Sequence, residues 1–228
     1  MKTTSADKYQ TQAKTLLPLK FISPHTPPAF HTSPSNEEAW TQICAWPTWP
    51  KQALIIQGAV GCGKTYIGQL WQRNVTAFQW PQDATIFNLF EQKKAPHLLV
   101  DNLEIHFSSE MRTRQLLGAL NTVREKGGTC LLLANTPFAL PKLRDLSSRL
   151  KAIVTISLKA PDDKLFERVL QSLFEKKQRF VPYDVISFLS LRIPRKMHVA
   201  QNIVTLLNKE SLEQKKKLTR DFVKAFIR

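Results

Sequence analysis

The chain has 228 residues, 43% of them apolar, and a formal net charge of +15. That length buries one substantial core, or one core with a small satellite domain. No apolar run approaches the roughly 20 residues that cross a bilayer, and residues 1–20 lack the apolar stretch of a signal peptide, so a cytoplasmic protein with no membrane partner is expected. Cys44, Cys62 and Cys130 are odd in number and dispersed, which speaks against a disulfide framework or a zinc site.

In chain order, residues 1–35 are polar, carry five prolines between Pro18 and Pro34, and read as a flexible tail with an extended lead-in. Asn36 is a good N-cap for a helix whose first turn holds Glu37 and Glu38. The segment Trp46-Pro47-Thr48-Trp49-Pro50 closes that helix and leads into the apolar strand Ala53-Leu54-Ile55-Ile56, with its tryptophans expected to pack on the domain that follows. Further strands are expected near Ala84 to Asn88 and at His97 to Val100, the latter ending at Asp101. Helical periodicity runs from Glu110 to Lys126, with Leu116, Leu117, Leu120 and Val123 on one face, and Gly127-Gly128 ends it. Strands follow at Thr129 to Ala134 and Ala152 to Ser157. Strands alternating with helices predict an α/β fold, a parallel sheet with helices on both faces. After Leu158 the pattern is helical only: Asp162 to Lys176, Tyr183 to Leu191, Lys196 to Asn208 and Thr219 to Ile227. The expected organisation is therefore a tail (1–35), a nucleotide-binding α/β domain (36–158) and a small all-helical domain (159–228).

The first strand runs into Gly58-Ala59-Val60-Gly61-Cys62-Gly63-Lys64-Thr65, a complete phosphate-binding loop that opens a helix. Gly58, Gly61 and Gly63 let the backbone curl so that several N–H groups converge on phosphate oxygens. The helix N-terminus adds partial positive charge. Lys64 is the candidate ligand for β- and γ-phosphates, and Thr65 for Mg²⁺. Such a loop needs an acidic residue at the end of a neighbouring strand, and Asp101, 36 residues after Thr65, supplies it. ATP or ADP with Mg²⁺ is the expected cofactor.

Many ATPases of this kind follow that aspartate with a second carboxylate that polarises the attacking water. Here the position is Asn102, which cannot act as a base, so unaided hydrolysis is expected to be slow or absent. Glu104 is near, but spacing alone does not place it over a γ-phosphate. Asn135, at the end of the fourth expected strand, either orients the lytic water or is a turn residue before Thr136-Pro137.

Positive charge concentrates toward the C-terminus: residues 159–228 hold sixteen Lys or Arg against eight Asp or Glu. The run Lys215-Lys216-Lys217 fits a solvated helix end, or a weak, salt-sensitive attraction to DNA or an acidic protein.

At Asp145-Leu146-Ser147-Ser148-Arg149-Leu150, preceded by Pro137 and Leu143, the chain resembles the arginine-finger segment of the DnaA/Hda branch of bacterial AAA+ proteins. Lys159 to Glu175, Phe180-Val181-Pro182, Phe188-Leu189, Arg195-Lys196-Met197 and Lys216-Lys217-Leu218-Thr219 resemble that branch's lid domain. The resemblance spans from about Leu17 to the C-terminus, and Val100-Asp101-Asn102-Leu103-Glu104 is closer to Hda than to the initiators. It implies that Arg149 is an arginine finger acting on a neighbouring subunit's nucleotide, worth about 10³–10⁵ in rate. Without the motif Arg149 would read as a cation favoured by the dipole of a helix end. The resemblance also implies that Arg195 is a lid arginine touching the chain's own nucleotide.

Hda proteins carry an N-terminal peptide, typically beginning with Gln and ending in Leu-Pro-Leu, that docks on the DNA polymerase sliding clamp. Leu17-Pro18-Leu19 is similar to its apolar end, whereas Lys14 stands at the glutamine position and Gln12 is two residues early. The chain ends where initiators continue into a DNA-binding domain, and the stretch from Thr65 to Asp101 leaves little room for their insert gripping single-stranded DNA, so DNA contact is expected to be indirect or weak. The partners implied are a DnaA-type initiator and the sliding clamp, with monomer and homodimer both open. A helicase loader with its own ATPase, and a P-loop small-molecule kinase, are the alternatives.

Overall fold

The computed structural model describes residues 30–80 and 94–227. Helix α1 (Glu37–Cys44) precedes strand β1 (Ala53–Gly58), which passes through the phosphate loop into α2 (Lys64–Val75). Then come β2 (Phe78–Gln79), β3 (Leu98–Val100), a 3-10 turn (Leu103–Phe107), α3 (Glu110–Glu125), β4 (Cys130–Asn135), α4 (Arg144–Lys151) and β5 (Val154–Leu158). The helical remainder is α5 (Asp163–Lys176), α6 (Tyr183–Ser190), α7 (Met197–Glu213) and α8 (Arg220–Lys224). The strand expected at Ala84 to Asn88 and the Leu17-Pro18-Leu19 peptide lie outside the described residues.

The five described strands form one parallel sheet in the order β2-β3-β4-β1-β5. Its central strands are apolar runs because both faces are covered. Alternate residues feed opposite cores: Ile55, Val100 and Leu132 pack with α3 and α4 on one face, and Leu54, Ile56 and Leu133 with α1 and α2 on the other. On α3, Leu117 is only partly buried, and Thr113 and Ala119 take places in the buried stripe. A third cluster, built on Phe166, Phe174, Leu189 and Val204, belongs to the helical part.

Asn36 holds the N-cap position of α1 but does not cap it with its side chain. Its Oδ1 accepts the Ser33 N–H at 2.8 Å and its Nδ2 donates to the His31 carbonyl at 2.9 Å, tying the lead-in back on itself. Residues 30–35 are thereby packed: Phe30 stacks on Trp40 with ring centroids 4.0 Å apart. Trp46 and Trp49 also pack, donating to Thr129 Oγ1 at 2.9 Å and to the Gln42 carbonyl at 2.7 Å. In the helical part α7 runs five residues beyond the expected Asn208, whereas α8 is shorter than the periodicity of Thr219 to Ile227 predicts.

Candidate nucleotide-binding site

The register of the sheet assembles the site. Gly58 lies opposite Asn135 on β4 and Leu158 on β5, and Val100 opposite Leu132, so β1, β3 and β4 end side by side at one edge of the sheet. The phosphate loop, Asp101 and Asn135 leave from that edge. Gly61 and Gly63 take φ of 87° and 110°, a region closed to side-chain-bearing residues at acceptable strain. A Cβ on Gly61 would stand 2.8 Å from Lys196 Cβ.

Lys64 is 6% exposed and its Nζ donates to the Gly58 carbonyl at 2.7 Å and the Ala59 carbonyl at 3.0 Å. The ammonium is thus held inside the curl of the loop that precedes it. The Thr65 hydroxyl donates to Asp101 Oδ2 at 2.8 Å, and Asp101 Oδ1 accepts the Asn102 N–H at 2.9 Å. A hydroxyl and a carboxylate in contact are hard oxygen donors of the kind that suit Mg²⁺ kept partly hydrated beside a polyphosphate. Cys62 within the loop is buried, and burial raises its thiol above the usual range, which keeps it protonated and inert.

Asn102 adopts left-handed backbone angles, φ 49° and ψ 56°, which asparagine tolerates better than most residues. The chain turns there into the 3-10 segment, and Glu104 comes round to β4. Its carboxylate accepts a short hydrogen bond from the Asn135 N–H and a longer one, 3.4 Å, from Asn135 Nδ2. Glu104 is therefore bound to the strand end rather than free beside Asp101, a contact no spacing in the sequence announces.

Beside the loop an apolar cavity lies between Phe30, Tyr66 and Leu158 on one side and Leu165, Leu173 and Met197 of the helical part on the other. Its mixture of ring and aliphatic walls next to a phosphate cradle fits a nucleobase. Sequence reading missed Phe30, because the polar, proline-rich residues around it mark a tail. The helical part closes on the loop directly: the Met197 N–H donates to the Gly61 carbonyl at 2.8 Å. Arg195, two residues earlier, forms an ion pair with Asp163 at the start of α5, both side chains largely exposed.

Arg149 sits apart from all of this. It lies in the last turn of α4 and lines a cavity with Lys51, Arg124, Gly128, Cys130 and Ala152. Those residues mark the beginnings of β1, β4 and β5, the sheet edge opposite the phosphate loop. Its Nη1 is buried without a hydrogen-bond partner. Burial, and then the neighbouring Arg124 guanidinium, lower its pKa from the ordinary arginine value. Among the described residues the candidates thus separate into two groups: Gly58, Gly61, Gly63, Lys64, Thr65, Asp101 and Asn135 at one edge, Arg149 at the other.

Comparison with known proteins gives this arrangement a context. The family model described as "Hda, lid domain" matches residues 163–227. An uncharacterized protein of Haemophilus influenzae is 26% identical over 187 residues, covering 75% of this chain and 80% of that one. Domain III of the Thermotoga maritima replication initiation protein DnaA superposes with a TM-score of 0.70 at 16% identity, over 87% of this chain and 95% of that one. AMPPCP-bound DnaA from Aquifex aeolicus gives 0.62 at 16% identity, over 82% of this chain and 67% of that one. The parallel sheet with its helical C-terminal part is the AAA+ fold. By fold the chain is similar to domain III of DnaA, and its residues 163–227 match the Hda lid domain.

Proposed function

We propose that this protein binds an adenine nucleotide as a structural ligand and uses Arg149 in trans, on ATP held by a DnaA-type initiator, to stimulate its hydrolysis and so restrain replication initiation. The observation that carries the reading is the position of Arg149. Its cavity opens at the start of β1, and the phosphate loop begins at the end of β1, six residues later. At about 3.3 Å per residue that strand separates them by about 20 Å, far beyond the reach of one side chain. The guanidinium lines an open cavity together with Lys51 and Arg124, with no carboxylate among the lining residues, so an anion brought by another molecule would meet three cations there.

At its own site, Lys64 and the loop N–H groups would hold the phosphates, and Thr65 with Asp101 the Mg²⁺ that neutralises them. Lys64 must exchange the Gly58 and Ala59 carbonyls for phosphate oxygens, and Arg195 must leave Asp163 if it is to reach the nucleotide. Weak turnover in cis follows from two features. Asn102 has no basic group, and Glu104 is engaged by Asn135. Docking of Leu17-Pro18-Leu19 on the sliding clamp would bring the protein to replicated DNA.

The test is ATP hydrolysis by the initiator of the same organism, with clamp on DNA, in the presence of this protein or its Arg149→Ala variant. Stimulation by the unaltered chain that disappears in the variant is the expected result. No stimulation by a chain that demonstrably binds nucleotide overturns the proposal, and Leu17→Ala/Leu19→Ala is expected to lose stimulation only when the clamp is required.

A further inference from the structure

The helical part carries an open groove of about 630 Å³, with walls formed by the α5–α6 turn and the α7–α8 turn. The two turns are joined across α7. The Arg179 guanidinium forms a short hydrogen bond with Ser211 Oγ, and that hydroxyl donates to the Lys216 carbonyl at 2.6 Å. Ser211 is itself buried, so the groove has a fixed floor.

Two kinds of group face it. Arg179, Lys215, Lys216 and Lys217 line it with no carboxylate among the lining residues. The nearby Glu213 and Asp221 are drawn to Lys209 and Lys224 instead, at 3.8 and 3.4 Å. Beside these cations the Phe180 ring is 93% exposed and Leu212 57% exposed. A phenylalanine so fully in water has neither a packing role nor a cap to play, and four uncompensated cations beside it call for a polyanion.

We propose that this groove binds single-stranded DNA, with a base stacked on Phe180 and the sugar–phosphate chain laid along Arg179 and Lys215 to Lys217. A row of cations that tracks the backbone, beside an aromatic face that takes a base, is the combination single strands require. A duplex keeps its base faces covered and offers Phe180 nothing. An acidic peptide answers the cations but not the ring. An RNA strand offers the same phosphates and base faces, and oligo-U in the experiment below separates it from DNA. The site is independent of the nucleotide and of Arg149, and stands or falls apart from the function proposed above.

The experiment measures binding of a labelled oligo-dT of about 20 nucleotides by the full chain across a salt series. Four phosphate contacts give a log–log salt slope of about −3 for a single strand. Lys215, Lys216 and Lys217 all changed to Gln should bring that slope about two units closer to zero. The same charge removed elsewhere, by Lys94, Lys142 and Lys151 to Gln, should leave it nearly unchanged. Phe180→Ala should weaken binding about tenfold at constant slope. All these side chains are at the surface, so folding is not at stake. Equal effects of the two triple substitutions, or no effect of Phe180→Ala, overturn the assignment to this groove. Duplex DNA, oligo-U or poly-glutamate bound as tightly as oligo-dT overturns its assignment to single-stranded DNA.

Discussion

Replacing Arg149 by Met should make the isolated protein more stable while removing the activity proposed for it. The guanidinium is half-buried, with Nη1 sealed from solvent and lacking an acceptor, and Arg124 adds like charge nearby. An unsatisfied buried donor costs about 1–3 kcal/mol. The rest of the group is in contact with water, so the lower end, about 1 kcal/mol, applies. Methionine retains the unbranched stem that lies against the start of the sheet and matches arginine in helix propensity, so little is lost in exchange. For a domain of this size about 1 kcal/mol corresponds to a rise in Tm of about 2–4 °C. Alanine is the wrong probe here, because it also deletes the stem and mixes a packing loss into the result. The assay is thermal unfolding without partner or nucleotide, alongside initiator ATP hydrolysis. A Tm that falls in Arg149→Met would show that the guanidinium contributes to the fold, and the picture of a group held ready for an external anion would be wrong.

Three further outcomes are expected. Lys64→Met should abolish the stabilisation by Mg-ATP, which for a simple site at 100 times Kd is about 2.7 kcal/mol; a Tm rise with ATP that survives the change would mean the loop is not the phosphate cradle. Glu104→Ala strips the Asn135 N–H of a charged acceptor and should cost about 1–2 kcal/mol in denaturant unfolding, whereas Glu104→Gln, which keeps an oxygen there, should cost less than half as much; equal costs would show that the hydrogen bond is not what matters. His106 is buried and its pKa is lowered, by burial first and then by Arg112. Unfolded chains take up its proton near pH 6.5 and the folded chain only at lower pH, so stability should decline as pH falls below about 6.5 and level off beneath the native pKa. His106→Asn should flatten that decline, leaving a smaller slope of the same sign from His31, which burial and Arg168 also lower. An unchanged slope in the variant would contradict the assignment.

What the sequence made legible is what is contiguous in it. The phosphate loop is eight consecutive residues whose glycines answer a local backbone demand, and the structure has the positive φ at Gly61 and Gly63 that the pattern asks for. The central strands were legible as short apolar runs buried on both faces, and the helices by their 3.6-residue repeat. The contacts that shape the site are of another kind. Nothing in Ala53 to Asn135 states that β4 lies between β1 and β3, so Asn135 beside Gly58 had to be seen. Asn36 illustrates the limit at short range: its type and position promise a cap, yet its amide serves His31 and Ser33 because the lead-in folds back over the base cavity. Phe30 was hidden for the same reason, an apolar residue in a polar, proline-rich setting.

Asn102 shows how a single residue can carry two meanings, one legible and one not. Read as chemistry, it is a missing carboxylate. Read as backbone, it is a left-handed turn that sends Glu104 across to Asn135. An aspartate could adopt the same angles, so the turn alone does not require asparagine. The two readings converge all the same. A neutral side chain at position 102 and a Glu104 carboxylate tied to the strand end both support the proposal that the site holds a nucleotide longer than it cleaves it. On the function proposed above, a protein that keeps its own nucleotide would use an arginine about 20 Å from its own phosphate loop on another molecule, a distance that separates the two roles within one chain.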